Sequence, residues 1–357
     1  MSKIAPLSTG RTHPRHRLPS KTRQKPPLTN SEADTITAVM RRYRSSLVTL
    51  PLLTLMLLAL PLFAQKLVPD LVPLRASGAL FIELSPLLIA TNGAYPGPIT
   101  MAVGGIPLIV SGQVDVATNA ETQLLRQSVD NPDLRVIFTV AESFYRIVGK
   151  RSAGIRRVAD LKGKRVTVPR NTSAHYYLVK MLATAKLTEA DITVVAVPGN
   201  EAVQALADGR LDAMVAFEPE PERARQLLGN DAVVLQDKRV YRELFNLHTS
   251  AKVLADPAKR RAVVELVRTL MATSKAWREN PELSLPLIAS KLSLPVELIR
   301  PALPEIRYAG GMVKDLLDVL VEEEQWVAKE RNRTPRTRAQ LATLIDKSVL
   351  EDARRKR

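Results

Sequence analysis

Short apolar runs alternate with amphipathic stretches along most of the chain after residue 65. The strand-like runs are short and rich in β-branched residues, and lie at 71–77, 99–103, 114–118 and 134–141. The helix-like stretches repeat apolar residues every three to four positions, and lie at 78–92, 120–128, 257–280, 281–292, 295–303 and 313–331. Such regular alternation of strand and helix predicts an α/β fold with parallel strands.

The block at 151–240 is itself a set of alternating strands and helices, which predicts a separate βαβ domain. Its strands are predicted at 192–198 and 211–217, and its helices at 173–185 and 200–208. Apolar runs at 144–150 and 245–250 connect this block to the rest of the chain. Two crossing strands between two lobes form a hinge.

The predicted fold class is therefore α/β, with two doubly wound Rossmann-like lobes joined by a two-strand hinge. The first lobe is assigned residues 65–148 and 246–357, and the second lobe residues 149–245. Open α/β sheets bind ligands at the carboxyl ends of their strands, so the cleft between the lobes is the expected ligand site.

The first 64 residues are unlike the rest of the chain. Residues 1–39 are rich in Pro, Ser, Thr and basic residues without apolar periodicity, and we expect disorder there. From Met40, basic Arg41 and Arg42 precede an apolar run at 47–64 that ends in small Ala64. This order predicts a signal peptide at 40–64, cleaved near Ala64, with Met40 as an alternative start to Met1. An uncleaved membrane anchor is the alternative, since the run reaches the lower limit for spanning a bilayer.

The formal net charge is +16, and residues 1–64 contribute half of it, with ten Lys and Arg against two acidic residues. Aromatic residues make up only 4% of the chain, which argues against stacking platforms for nucleic acid, and we predict no nucleic-acid partner. The modestly basic body suits an anionic ligand. The chain has no Cys, which excludes disulfides, thiolate metal sites, cysteine nucleophiles and lipid attachment through Cys.

Residues 159–221 carry a specific combination of motifs. They include Asp-Leu-Lys-Gly-Lys at 160–164, Val-Pro-Arg-Asn-Thr-Ser at 168–173, Glu-Ala-Val-Gln-Ala-Leu at 201–206 and Phe-Glu-Pro at 217–219. This region resembles the nitrate/sulfonate/taurine class of substrate-binding proteins of ABC transporters, and residues 111–123 resemble a further element of that class. Phe217 stands where the family often has Trp.

The resemblance implies a type II periplasmic binding fold and a protein exported to the periplasm of a Gram-negative cell. It would bind a small, anionic solute in the cleft and deliver it to the membrane subunits of an ABC importer. We expect a monomer, with no cofactor, no metal site and no catalytic residues. The ligand class stays open among sulfonates, taurine, nitrate, aromatic acids and neutral pyrimidines.

The turn before the helix at 173–185 is the first candidate for ligand contact. Asn171, Thr172 and Ser173 follow a strand and start a helix, where free N–H groups and the helix dipole favour an anion. We assign these three residues and the following Ala174 to ligand binding. Simple N-capping explains the same residue types.

Further candidates lie at corresponding turns of the first lobe and at the end of the inserted block. The residues assigned to ligand binding on this ground are Ser77, Gly78, Ala79, Gly105, Thr118, Asn119 and Glu218. Gly78 and Gly105 would let the backbone approach a ligand. Helix capping or a tight turn explains the first-lobe residues equally, and Glu218 either contacts the ligand or fixes the hinge.

Two rival functions remain at this stage. A small-metabolite enzyme would need a catalytic constellation, but His175 and His248 have no carboxylate at metal-ligand spacing and no nucleophile pattern. A sensory module anchored in the membrane would follow if residues 47–64 are not removed.

Overall fold

A computed structural model describes residues 70–355. The predicted disordered segment, the signal peptide and its cleavage site lie outside the described residues. Within 70–355, no helix is both long enough and apolar enough to cross a membrane.

The larger sheet has six strands in the order β11-β4-β10-β3-β1-β2. Its strands are β1 Leu74–Gly78, β2 Ile99–Val103, β3 Val116–Ala120, β4 Leu134–Ser143, β10 Glu243–Ser250 and β11 Ile306–Arg307. β1 pairs in parallel with β2 and β3, whereas β10 runs antiparallel to both β3 and β4. β4 and β10 are buried along almost their whole length, as expected for central strands that are covered on both faces.

The smaller sheet has five strands in the order β7-β6-β8-β5-β9. Its strands are β5 Ile147–Lys150, β6 Arg165–Thr167, β7 Thr193–Val194, β8 Ala213–Val215 and β9 Ala232–Leu235. β6 is parallel to β7 and β8, while β5 runs antiparallel to β8 and β9. The two sheets define the two lobes of the α/β fold, which confirms the predicted fold class.

Helices cover the sheets and form most of the C-terminal part. The first seven are α1 Ser85–Ile89, α2 Ile106–Val110, α3 Glu121–Gln127, α4 Ser173–Thr184, α5 Gly199–Ala207, α6 Glu220–Leu228 and α7 Ala251–Ala255. The remaining six are α8 Pro257–Glu279, α9 Leu285–Leu292, α10 Val296–Ala302, α11 Leu316–Glu330, α12 Arg338–Ala342 and α13 Ser348–Arg354. The longest, α8, begins with Asp256 as N-cap and Pro257 in the first turn, which are the residue types preferred there.

The chain crosses between the sheets in two short segments. Residues 144–146 join β4 to β5, and residues 236–242 join β9 to β10. The predicted crossing strands therefore differ from the observed ones, because β10 lies wholly in the larger sheet, paired with β3 and β4. The smaller sheet starts at Ile147, two residues before the predicted lobe boundary. We call residues 144–146 the first connector and residues 236–242 the second connector.

Three predicted elements are shorter or shifted. The helix predicted at 78–92 is broken into a 3-10 turn at Ile82–Leu84, α1 and a wide turn at Ala90–Ala94, with Pro86 in the first turn of α1. The strand predicted at 192–198 shrinks to β7 because it lies at the sheet edge, and Pro198 has no N–H to pair. β3 extends to Ala120, so Thr118 and Asn119 lie inside the strand rather than after it.

Candidate functional site

A cavity of about 270 Å³ lies between the two sheets and receives side chains from both lobes. Nine lining residues come from the first lobe: Ala79, Phe81, Glu83, Pro107, Asn119, Ala120, Gln123, Glu243 and Phe245. Three come from the second lobe: Thr172, Ser173 and Phe217. The lobes meet at its edge, where the Gln123 side chain donates a hydrogen bond to the Asn171 carbonyl at 3.0 Å.

Glu83 is the first of two acidic residues in the cavity wall. It lies in the 3-10 turn after β1 and is only 2% exposed. The Ser143 hydroxyl at the end of β4 donates to Glu83 Oε1 at 2.7 Å. Glu83 Oε2 is buried and has no hydrogen-bond partner among the described residues. Burial raises the pKa of Glu83, since the charged carboxylate is poorly solvated there.

Glu243, at the start of β10, is the second acidic residue. Its Oε2 accepts a hydrogen bond from the Tyr145 hydroxyl at 2.7 Å, and its Oε1 accepts one from Ser173 at 3.3 Å. Tyr145 and Ser173 also lie 2.8 Å apart, which closes a three-residue network across the lobes. Burial, followed by the charges of Glu83 and Glu121, raises the pKa of Glu243 well above its usual range. Their surroundings therefore favour the protonated form of both glutamates in the cavity wall.

Aromatic rings form another part of the cavity wall. The Phe81 and Phe217 ring centroids lie 4.9 Å apart although the two residues belong to different lobes. Phe245 of β10 completes the apolar wall, and Tyr145 packs edge-on against Phe217 at 5.9 Å. An aromatic wall combined with a few polar groups is typical of small-molecule sites.

The start of α4 brings Thr172 and Ser173 to the cavity. Thr172 is the N-cap: its Oγ1 accepts from the His175 N–H at 3.4 Å and donates to the Pro169 carbonyl at 2.6 Å. The His175 ring supports the turn, since its Nδ1 accepts from the Asn171 N–H at 3.2 Å and its Nε2 lies 2.8 Å from Glu189 Oε1. His175 thus orients the cavity-lining turn from behind, a role that its isolation in the sequence did not indicate.

The chain matches a protein family in sequence and solved structures in fold. The NMT1/THI5-like family model matches residues 100–283. The chain belongs to the NMT1/THI5-like family. A relative from Escherichia coli (strain K12), named as an aliphatic sulfonates-binding protein, is 27% identical over 201 residues. That alignment covers 55% of this chain and 59% of the relative.

Two solved structures have the same fold as this NMT1/THI5-like protein. The alkanesulfonate-binding protein SsuA from Xanthomonas axonopodis pv. citri, bound to MOPS, matches with a TM-score of 0.62 at 20% identity, over 78% of this chain and 99% of SsuA. The desulfurization enzyme DszB matches with a TM-score of 0.58 at 15% identity, over 79% of this chain and 98% of DszB. The resemblance predicted from the motifs of residues 111–123 and 159–221 is confirmed.

Four of the eleven residues assigned to ligand binding line the cavity, namely Ala79, Asn119, Thr172 and Ser173. Asn171 and Ala174 flank Thr172 and Ser173 of that set: Asn171 has a positive φ of 62°, and Ala174 is fully buried in the first turn of α4. Ser77 and Thr118 are fully buried in β1 and β3, and their hydroxyls have no partner among the described residues. The ligand-binding assignment stays a prediction for all eleven.

Gly78 and Gly105 are not among the residues that line the cavity, and neighbouring side chains approach both of them closely. A Cβ at Gly78 would lie 2.5 Å from Leu84 Cδ1 and from Thr118 Oγ1, and one at Gly105 would lie 2.3 Å from Asn119 Nδ2. These glycines therefore let neighbouring side chains approach the backbone closely.

Glu218 is likewise not among the lining residues, and it is paired with Arg146 of the first connector. Its Oε1 accepts hydrogen bonds from Arg146 at 2.9 Å and 2.6 Å, and both side chains are more than 90% buried. Burial is the main cause that raises the pKa of Glu218 to about 7, although the charge of Arg146 acts in the opposite direction. This ion pair fits the hinge role, one of the two that the sequence left open for Glu218, and its contact with a ligand stays a prediction.

Sequence reasoning missed Glu83, Glu243 and the aromatic wall. Both glutamates interrupt apolar runs, Phe-Ile-Glu-Leu at 81–84 and Glu-Leu-Phe-Asn-Leu at 243–247. A charged residue within a buried apolar run is unusual unless it is paired or functional. This interruption of the apolar pattern could have identified both glutamates from the sequence.

Stability should fall as the pH rises from about 6.5 to about 8, by on the order of 1–2 kcal/mol. Burial raises the pKa of Glu218 to about 7 and that of Glu323, on α11, to about 8. In the unfolded chain both groups have already lost their protons at these pH values, so only the native state loses protons in this window. The pKa of His248 is lowered to about 4. Its contribution to the free energy of unfolding is therefore lost only below about pH 6.5, where the unfolded chain takes up a proton at this residue and the native protein does not.

Urea unfolding across this pH window measures the effect, and Glu323→Gln should flatten the slope. A stability that is constant or increases with pH would show that these carboxyl groups are ionised in the native protein.

Proposed function

We propose that this protein is the solute-binding component of an ABC import system, which captures a small organic solute between its lobes and releases it unchanged. The observation that carries the proposal is the cavity of about 270 Å³, lined from both lobes, in a chain of this family and fold. A site shared by two lobes couples binding to closure, because a ligand that contacts both lobes favours the closed state.

The relatives support this function. The curated relative from Escherichia coli is named as an aliphatic sulfonates-binding protein, and SsuA is a binding protein with the same fold. A small sulfonate-like solute, with its anionic group near Thr172 and Ser173, is the ligand class that follows. The membrane subunits of an importer would be the partners, the protein would act as a monomer in the periplasm, and the signal peptide would be removed near Ala64.

DszB has the same fold and is an enzyme, so the experiment must separate binding from turnover. The full chain is expressed in a Gram-negative host, recovered from the periplasm, and examined by intact-mass and native mass spectrometry. We expect a mature protein that begins near Gln65 with a solute bound, and the solute unchanged after prolonged incubation. Conversion of the solute into a new product would refute the proposal in favour of an enzyme.

Ala79→Trp should abolish solute retention, because the indole would fill much of the cavity that Ala79 lines. We expect the affinity to fall at least about tenfold, which corresponds to roughly 1.4 kcal/mol or more. The fold should persist, since Ala79 is only half-buried. Leu80→Trp is the matched control: Leu80 is the neighbouring residue, is 41% exposed and does not line the cavity. Equal solute affinity for the Ala79 variant and the wild type would place the binding site elsewhere.

A further inference from the structure

We propose that Glu83 and Glu243 form a subsite for a protonated amine, or a similar N–H-bearing cation, of the bound solute. This inference rests on the proposed function, because it concerns the same cavity, and it defines the chemistry that one end of the solute must have.

The charge of the cavity wall is the first support. Among the twelve lining residues there is no Lys, Arg or His, and the two ionisable side chains are both glutamates. Glu83 is 2% exposed and Glu243 is 3% exposed. Buried carboxylates are costly unless a cation or several donors compensate them, and no described residue pairs with Glu83 Oε2. A cationic group of the solute would provide that missing partner.

The aromatic wall is the second support. Phe81 and Phe217 lie in contact across the lobes, and Phe245 lines the same cavity as the two glutamates. The electron-rich faces of aromatic rings attract alkylammonium groups, and carboxylates combined with aromatic rings form a typical environment for organic cations. Because Phe81 belongs to the first lobe and Phe217 to the second, a cation held there would contact both lobes.

The hydroxyls at the start of α4 are already used by acceptors within the protein. Ser173 donates to Glu243, and Thr172 donates to the Pro169 carbonyl, so both hydroxyl hydrogens already have acceptors. An anionic group would have to use backbone N–H groups of the turn instead. The two expectations are compatible in a solute that carries an anionic group at the turn and an amine at Glu83 and Glu243.

The surroundings of the two carboxyl groups predict an exchange of proton for cation. Tyr145, Ser173 and Glu121 surround Glu243, and Ser143, Tyr308 and Glu218 are near Glu83. None of these groups carries a positive charge, and Arg146 is engaged with Glu218 and Glu222. Without a cation, burial and the charge of Glu83 on Glu243 favour a proton on the pair. Binding of an amine should therefore release a proton, and its affinity should increase with pH.

The test uses the purified full chain and three small aromatic probes. Benzylamine in its protonated form is the cation, benzyl alcohol is its neutral isostere, and benzenesulfonate is the anion. Calorimetry in two buffers of different ionisation enthalpy measures both affinity and proton release. We expect the wild type to bind benzylamine with release of a proton, and Glu83→Gln and Glu243→Gln each to weaken it about tenfold or more. Binding of benzyl alcohol should change much less in both variants.

Glu322→Gln removes the same charge at an exposed position and is the matched control. Thermal unfolding checks that each variant is folded, and glutamine keeps the shape of a protonated carboxyl. The subsite is overturned if both variants bind benzylamine as tightly as the wild type, or if the wild type binds only benzenesulfonate and benzyl alcohol. In that second case the solute-binding function itself still stands. If the wild type binds neither these probes nor any co-purified solute, the proposed function fails together with the subsite.

Discussion

Replacing Arg146 with alanine is expected to lower the free energy of unfolding by about 3–5 kcal/mol at mildly alkaline pH. Arg146 lies in the first connector, is 6% exposed, and pairs with Glu218 at 2.6 Å and with Glu222 at 3.6 Å. Its removal leaves the buried Glu218 without its counter-charge. Because the pKa of Glu218 is about 7 even beside Arg146, protonation should relieve that charge at lower pH. The loss should therefore be smaller at about pH 6 than at about pH 8.

Urea unfolding of the wild type and the variant at both pH values gives the comparison. Arg165→Ala is the matched control, since Arg165 pairs with Asp212 at 2.7 Å but is 45% exposed. Exposed pairs contribute about 0–1 kcal/mol. Equal losses for the two arginine variants, or no pH dependence for Arg146→Ala, would contradict the role of a buried counter-ion.

Much of the fold could be predicted from local patterns. The continuous apolar run of β4 and the capped, amphipathic α8 carry their own signals, and the alternation of strands and helices indicated two α/β lobes. The connectors could not be located in this way. Residues 144–146 look like part of a strand, but the Phe144 N–H donates to the Glu305 carbonyl at 2.9 Å, and the Gln236 side chain donates to the Tyr145 carbonyl at 3.1 Å. Those partners are set by tertiary packing, which periodicity does not encode.

The same distinction applies to the cavity. Thr172, Ser173 and Asn119 were predicted to contact the ligand because helix-capping and strand-end positions are local features of the sequence. Glu83 and Glu243 were not predicted, because their burial depends on Ser143, 60 residues away from Glu83, and on Tyr145, 98 residues away from Glu243. Gly78 and Gly105 were predicted to contact a ligand because a glycine indicates that some group approaches the backbone closely. The sequence does not indicate which group that is. Here the approaching groups are Leu84, Thr118 and Asn119.

Glu121→Ala should destabilise the protein by about 2–4 kcal/mol, because it leaves two buried donors without an acceptor. Glu121 begins α3 and is fully buried. Its Oε1 accepts from the Tyr241 hydroxyl in the second connector, and its Oε2 accepts from the Leu244 N–H at 2.8 Å. The sequence indicated only a favourable charge in the first helical turn. The structure shows that this carboxyl fixes the second connector, as Glu218 fixes the first.

Glu121→Gln separates loss of hydrogen bonding from loss of charge. Burial and the charge of Glu323 raise the pKa of Glu121 well above its usual range, which favours the neutral carboxyl. An amide of the same shape keeps an acceptor for the Leu244 N–H and can donate to the Tyr241 oxygen, but it leaves the Tyr241 hydroxyl hydrogen without its acceptor, so we expect a cost of about 1–2 kcal/mol, smaller than that of alanine. Tyr241→Phe should lie between the two glutamate variants, since it removes one donor and leaves the other paired. Urea unfolding at pH values near neutrality ranks the three variants. If glutamine costs as much as alanine, a negative charge on Glu121 holds the second connector.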